Sequence, residues 1–185
     1  MRSPAVEWLY GLQHFGIKLG LHNIGAMLEL LDRPDRAFPI IHVAGTNGKG
    51  SVAAMLDAVL RAAGMRVGLF TSPHLVRPSE RIRIDGTDLD EQRFDAALFE
   101  MRDRIEPARE TGVLPQHPSF FEVMTATALR EFRKESVDVA VLEVGLGGRL
   151  DATNAADTDL SVIVTVDLDH TKSLGGTIEA VSYTH

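Results

Sequence analysis

A chain of 185 residues can build one sizeable core, and 44% hydrophobic against 24% charged residues excludes a disordered or fibrous protein. The net charge of −7 argues against duplex nucleic acid or an anionic membrane as partner, so an anionic ligand needs a local positive site. Cysteine is absent, which removes disulfides, thiolate metal sites and a cysteine nucleophile; with no signal core and no apolar run near the ~18 residues of a membrane span, a cytoplasmic location is expected.

Apolar periodicity predicts a helix from about Pro4 to Phe15 and another from about Ile24 to Leu31, stopped by Asp32-Arg33-Pro34. Pro39 to Ala44 reads as a buried strand, followed by the glycine loop Gly45 to Ser51 and a helix from Val52 to Ala63 that Gly64 ends. Arg66 to Phe70 returns as a strand, giving a βαβ unit whose crossover suits a parallel sheet. Arg81-Ile82-Arg83-Ile84 alternates charge with Ile ahead of the turn pair Asp85-Gly86, which predicts a surface hairpin. Asp90 can cap a helix that Pro107 should stop near Glu106, and Gly112 to Pro118 reads as a loop. Ser119 and Glu122 have capping-box spacing at the head of a helix to about Glu135. Val137 to Val144 and Leu160 to Val166 are β-branched runs with buried-strand character. The expected fold is α/β, a P-loop-containing, mostly parallel sheet with helices on both faces behind a short helical preface.

The densest chemical signal is Gly45 to Ser51. Consecutive backbone N–H groups at a helix N-terminus cradle anions, and Lys49 adds a point charge for phosphates. Thr46, Asn47, Gly48, Lys49, Gly50 and Ser51 are therefore the candidate nucleotide-binding residues. Two departures mark this loop: Val43 stands where a P-loop usually has its first Gly, and Gly50 follows Lys49 where Ser or Thr normally meets Mg²⁺. Another segment should then supply the missing oxygen ligand, and Ser72, after the next strand, is the candidate. Glu143 at the end of one strand and Asp169-His170 beyond another should converge on the same edge if the strands are parallel. Arg77, Arg81 and Arg83 form a basic patch that either steers an acidic substrate or faces solvent. Phe120 and Phe121 either flank a flat ligand or belong to the core, and Glu122 has a structural role open to it as the partner of Ser119.

The stretches His42 to Ser51, Thr71 to Leu75 with Glu80 to Arg83, Leu142 to Asn154, and Leu168 to Thr171 together resemble the folylpolyglutamate synthase/dihydrofolate synthase family of Mur-type ligases, in the family's order. The resemblance implies an ATP-dependent ligase that joins glutamate to a pteroate or folate carboxylate through an acyl phosphate. It implies ATP and Mg²⁺ as cofactors, phosphate binding by Gly48 to Ser51, catalytic roles for Lys49 and His170, and Ser72, Glu143 and His170 around the metal. It further implies a pterin and acceptor site from Leu19, Gly20, Leu21, His74, Arg81, Ser119, Phe120, Phe121, Glu122, Leu150, Asp151 and Ala152. A monomer acting on pteroate or folate and glutamate is expected, with no nucleic acid and no membrane partner. On this reading residues 1–185 are a truncated ATP-binding domain, inactive alone, that lacks the family's C-terminal glutamate-ligase domain. Asp167 stands where the family has a small residue, Ala155-Ala156 where it has hydrophobic ones, and His185 where it has a carbamylated Lys. The alternatives are a non-catalytic nucleotide-binding module or a ligase acting on a cell-wall precursor.

Overall fold

The first helix, α1 (Pro4–Gly11), starts where Ser3 Oγ accepts from the Val6 N–H at 3.2 Å and a proline needs no donor. In the computed structural model, which describes residues 2–16, 20–167, 177 and 181, α1 does not continue to Phe15 as a regular helix. It tightens into a 3₁₀ turn over Leu12–Phe15, bracketed by Gly11 and by Gly16 at φ 71°. Glycine lends no support to a helix interior, so the α geometry ends there. Helix α2 (His22–Leu30) follows and stops at Asp32 and Arg33, both in left-handed backbone.

Strand β1 (Ile40–Ala44) leads through the glycine loop into α3 (Lys49–Ala62), which begins three residues earlier than the apolar pattern suggests. Then come β2 (Val67–Phe70), β3 (Ile82–Ile84), β4 (Thr87–Asp88), α4 (Glu91–Glu110), α5 (Phe120–Lys134), β5 (Val139–Glu143) and β6 (Leu160–Ile163). Their order in the sheet is β4-β3-β2-β5-β1-β6. Strands β2, β5, β1 and β6 run parallel, while β3 and β4 form the expected antiparallel hairpin on the β2 edge. Strand alternation divides the apolar side chains between two layers. Val43, Val67, Leu69, Val139 and Val141 pack under α3, whereas Ile40, Phe70, Ala140 and Leu142 join α1, α2, α4 and α5 on the other face. Helix α5 approaches the sheet so closely that a Cβ on Gly68 would lie 2.6 Å from the Phe132 ring.

Two further expectations fail. Helix α4 passes through Pro107 and ends at Glu110, because a proline near the end sacrifices one hydrogen bond and the last turn is held by buried Ala108, whose carbonyl accepts from Leu114 N at 3.0 Å. Strand β6 is shorter than the run Leu160 to Val166 and is not buried: Leu160 is 53% and Ile163 55% exposed. It is the outer strand of the sheet, paired only with β1 among the described residues. No helix among the described residues is long and apolar enough to cross a membrane.

Candidate functional site

The parallel strands β1, β2 and β5 deliver three loops to one edge of the sheet, the carboxyl edge where open α/β folds bind ligands. The first is the glycine loop. Gly45, at φ 138°, comes so near the Thr165 backbone that a Cβ would sit 2.9 Å from its carbonyl oxygen, and Gly48 caps α3 in left-handed backbone at φ 85°. Only glycine meets both demands without strain. The segment after β6 braces this loop: Thr46 N donates to Thr165 O at 2.7 Å, Asn47 N to Thr165 Oγ1 at 3.1 Å, and Thr46 Oγ1 to Asp167 O at 3.1 Å. Lys49 folds back over the loop, its Nζ donating to the carbonyls of Gly45 and Thr46 at 2.7 and 3.1 Å. Ser51 lies two residues further along α3 and is exposed.

The second and third loops meet at Glu143. This buried carboxylate ends β5 and accepts from the Ser72 backbone N–H at 2.8 Å through Oε2. Its Oε1 accepts no hydrogen bond from a described residue and lies 3.3 Å from where a Cβ on Gly50 would stand. A serine at position 50 would crowd this oxygen, so glycine there clears the approach to Glu143. Burial pushes the Glu143 carboxyl above its ordinary value, against the Ser72 N–H and the charges of Lys49 and Arg81. Among the described residues no three metal-ligand side chains form a cluster, and Asp169 and His170 lie outside them. A carboxylate and a serine hydroxyl still suit a hard cation such as Mg²⁺, which keeps several of its waters.

Beyond Glu143 opens a cavity of about 550 Å³. Lys49, Ser72, Arg81, Ser119, Phe120, Phe121, Glu122, Glu143, Leu150, Asp151 and Ala152, all expected at the site, line it together. Gly20 joins this rim, its N–H donating to the Leu150 carbonyl at 3.3 Å, and Leu21 precedes α2; Leu19 lies outside the described residues. His74 stands behind Arg81 and accepts from its Nε at 2.9 Å. The Arg81 guanidinium lies 5.2 Å from the Phe120 ring centroid, and burial draws its pKa down against the influence of Tyr10 and Glu143.

The basic patch resolves into separate roles. Arg77 pairs with Glu91 at 2.5 Å and Arg83 with Asp88 at 2.7 Å at the surface, so only Arg81 faces the cavity. Glu122 does cap: Oε2 accepts from Ser119 N at 2.7 Å and Oε1 from Asn23 Nδ2 at 3.2 Å. Phe120 belongs to the core and lines the cavity as well, while Phe121 fills the space a Cβ on Gly145 would need. Asp151 holds the floor, accepting from Leu146 N at 2.9 Å and from the Thr153 backbone and hydroxyl; burial raises its pKa against these bonds. Sequence reasoning missed Gln13, Gly16, Pro73, Gly145 and Leu146 in the lining, and Tyr10 behind it, because nothing local distinguishes them from ordinary helix and loop residues.

Strand β1, the lysine-bearing glycine loop and α3 at a parallel sheet edge define a P-loop α/β fold with a second, aromatic cavity beside the anion cradle. No protein-family model matches the chain. Nearly the whole length of the chain is similar in sequence to proteins named dihydrofolate synthase/folylpolyglutamate synthase. It is 43% identical over 184 residues to dihydrofolate synthase/folylpolyglutamate synthase of Haemophilus influenzae, covering 98% of this chain and 40% of that protein. A solved Escherichia coli structure in complex with DHPP and ADP matches at a TM-score of 0.86 and 39% identity, over 97% of this chain and 42% of the other. A bifunctional folylpolyglutamate synthase/dihydrofolate synthase with Mn, AMPPNP and L-glutamate bound matches at 0.84 and 41%, over 98% and 43%. The chain thus spans about two fifths of the length of these relatives.

Proposed function

We propose that this chain supplies the nucleotide and acceptor sites of an ATP-dependent ligase that joins L-glutamate to dihydropteroate or to folate polyglutamates, acting as a monomer in the cytoplasm. The observation that carries the reading is the sharing of Lys49, Ser72 and Glu143 between the phosphate cradle and an aromatic cavity whose Arg81 pairs with no carboxylate among the described residues. Residues 1–185 are, on this reading, the ATP-binding domain, with the glutamate-binding part supplied by further sequence.

The chemistry then follows from position. Gly48 to Ser51 offer N–H groups at the start of α3 to the nucleotide phosphates. Lys49 exchanges the Gly45 and Thr46 carbonyls for phosphate oxygens. Phe120 and Phe121 bound the space for a flat pterin, and Arg81 receives the acceptor carboxylate. A carboxylate oxygen attacks the γ-phosphorus as the bond to ADP breaks, forming an acyl phosphate whose charge Lys49 and Arg81 offset. The glutamate amine then attacks the carbonyl carbon, phosphate leaves, and the amine proton passes to solvent. Ser72 and Glu143 would hold Mg²⁺, with His170 as the expected third ligand, and the ion would supply charge neutralisation at the transferring phosphoryl group. Gly20, Leu21, Leu150 and Ala152 close the pterin end.

Calorimetric titration of the 185-residue chain with Mg²⁺-AMPPNP and with pteroate tests this directly. Both ligands are expected to bind. Lys49→Ala should weaken the nucleotide by about tenfold or more, consistent with loss of a charge-assisted contact, while circular dichroism stays that of the parent. Unchanged nucleotide affinity in Lys49→Ala removes the cradle, and binding of a nucleotide-linked cell-wall precursor in place of pteroate removes the folate assignment.

A further inference from the structure

Arg81 is anomalous among its neighbours. It is half-buried against the cavity, yet no carboxylate pairs with it among the described residues, and only its Nε is used in a hydrogen bond. A desolvated cation left in this state favours an anionic ligand, and its remaining N–H donors suit a carboxylate. Their aim depends on what fixes the guanidinium plane. Phe120 supplies one face, at 5.2 Å, and His74 supplies the only hydrogen bond from a described residue.

That hydrogen bond fixes the histidine in turn. Arginine cannot accept, so His74 Nδ1 is the acceptor and the neutral ring carries its proton on Nε2. Nε2 lies 3.1 Å from the Tyr10 hydroxyl, which therefore accepts. Tyr10 is held in place from three sides. Its ring sits 5.6 Å from Phe120 and 6.4 Å from His74, the Arg2 guanidinium covers it at 4.0 Å, and α1 is seated through buried Ala5 and Leu9. A hydrogen-bonded line thus runs from α1 through Tyr10 and His74 to the one unpaired arginine of the cavity.

We propose that Tyr10 is a positioning residue for the acceptor carboxylate: through His74 it sets the rotation of Arg81 and so confers preference for a carboxylate over a neutral group at that end of the cavity. This rests on the acceptor site proposed above. The hydroxyl does the positioning and the ring only packs, so Tyr10→Phe separates the two.

The test is the affinity of the 185-residue chain, in magnesium-containing buffer, for pteroate and for its carboxamide, followed by ligand fluorescence. The parent should prefer the acid. Tyr10→Phe should weaken pteroate by about three- to tenfold, the range of one lost hydrogen bond, and leave the carboxamide within about twofold. Arg81→Gln should remove the preference, and adding Tyr10→Phe to Arg81→Gln should cost nothing more, because Tyr10 acts through Arg81. Thermal melting of Tyr10→Phe close to that of the parent accompanies the expected result. A Tyr10→Phe protein that binds both ligands like the parent overturns the proposal, as does an equal loss for acid and amide or an additive loss in the double variant. A parent that binds acid and amide equally overturns it too, with the pterin cavity left standing; a parent that binds neither overturns the acceptor site itself.

Discussion

Buried on β1, His42 bonds to the Thr153 hydroxyl at 2.7 Å. Thr153 gives its own proton to Asp151, so it can only accept from His42, and the neutral ring must carry hydrogen on Nε2. Burial lowers the His42 pKa from 6.5 to about 4. Between those values the unfolded chain binds the extra proton and the folded chain does not. The stability contribution is therefore complete above pH 6.5 and drains away as pH falls through 4. The gap corresponds to about 3 kcal/mol, and urea unfolding should lose about 2 to 3 kcal/mol between pH 7 and pH 4.5 from this residue. His42→Gln should flatten that slope, while Asp151 and Glu143, whose raised values act in the opposite direction, remain in both proteins. An unchanged slope in the variant would assign the acid sensitivity elsewhere. At this scale the sequence was readable where chemistry is local. Lys49 and Glu143 announced themselves by a glycine loop and a strand end, whereas Tyr10 lies 64 positions from His74 and reads as one more apolar residue of α1.

Elements whose signals sit in their own few residues came out as expected, such as the Ser119 and Glu122 box at α5 or the Asp90 cap, where Arg93 N donates to Oδ1 at 2.9 Å. Those that depend on neighbours did not. Pro107 reads as a stop only until tertiary contacts hold the turn beyond it, and the β-branched run of β6 looks buried until its place at the sheet edge is known. The seat of α5 on the sheet is of the second kind. Gly68 seems an ordinary weakness in β2, yet it is the space that Phe132 fills, with ring atoms 2.6 Å from an added Cβ. Gly68→Ala should therefore destabilise by about 1–3 kcal/mol through overpacking rather than gain from reduced chain entropy. Chemical denaturation is the measurement, and adding Phe132→Leu should recover part of the loss. A neutral or stabilising Gly68→Ala would mean that α5 can lift without cost.

For the whole molecule, the strand order decides which residues meet at the site, and no local pattern reveals it. Placing β5 between β2 and β1 brings Glu143 to both the Ser72 loop and Gly50, although these lie far apart in the chain. One buried carboxylate then belongs to the cradle and to the cavity at once. Its charge opposes a second carboxylate in that cavity, with Lys49 and Arg81 as the opposing cations among its lining. On the proposed function a divalent cation on Glu143 and Ser72 would reverse this balance, so nucleotide with Mg²⁺ and the acceptor should bind with positive coupling, each raising the affinity of the other by the same factor. Pteroate affinity should rise about tenfold when Mg²⁺-AMPPNP replaces EDTA, within the usual range of such couplings. The carboxamide, which carries no opposing charge, should change by less than about twofold, since only the charged ligand gains from the cation. Glu143→Gln should remove the magnesium dependence for pteroate while preserving the fold, because the isosteric amide still offers an oxygen to the Ser72 N–H. Equal enhancement of acid and amide would place the coupling in loop ordering instead of charge.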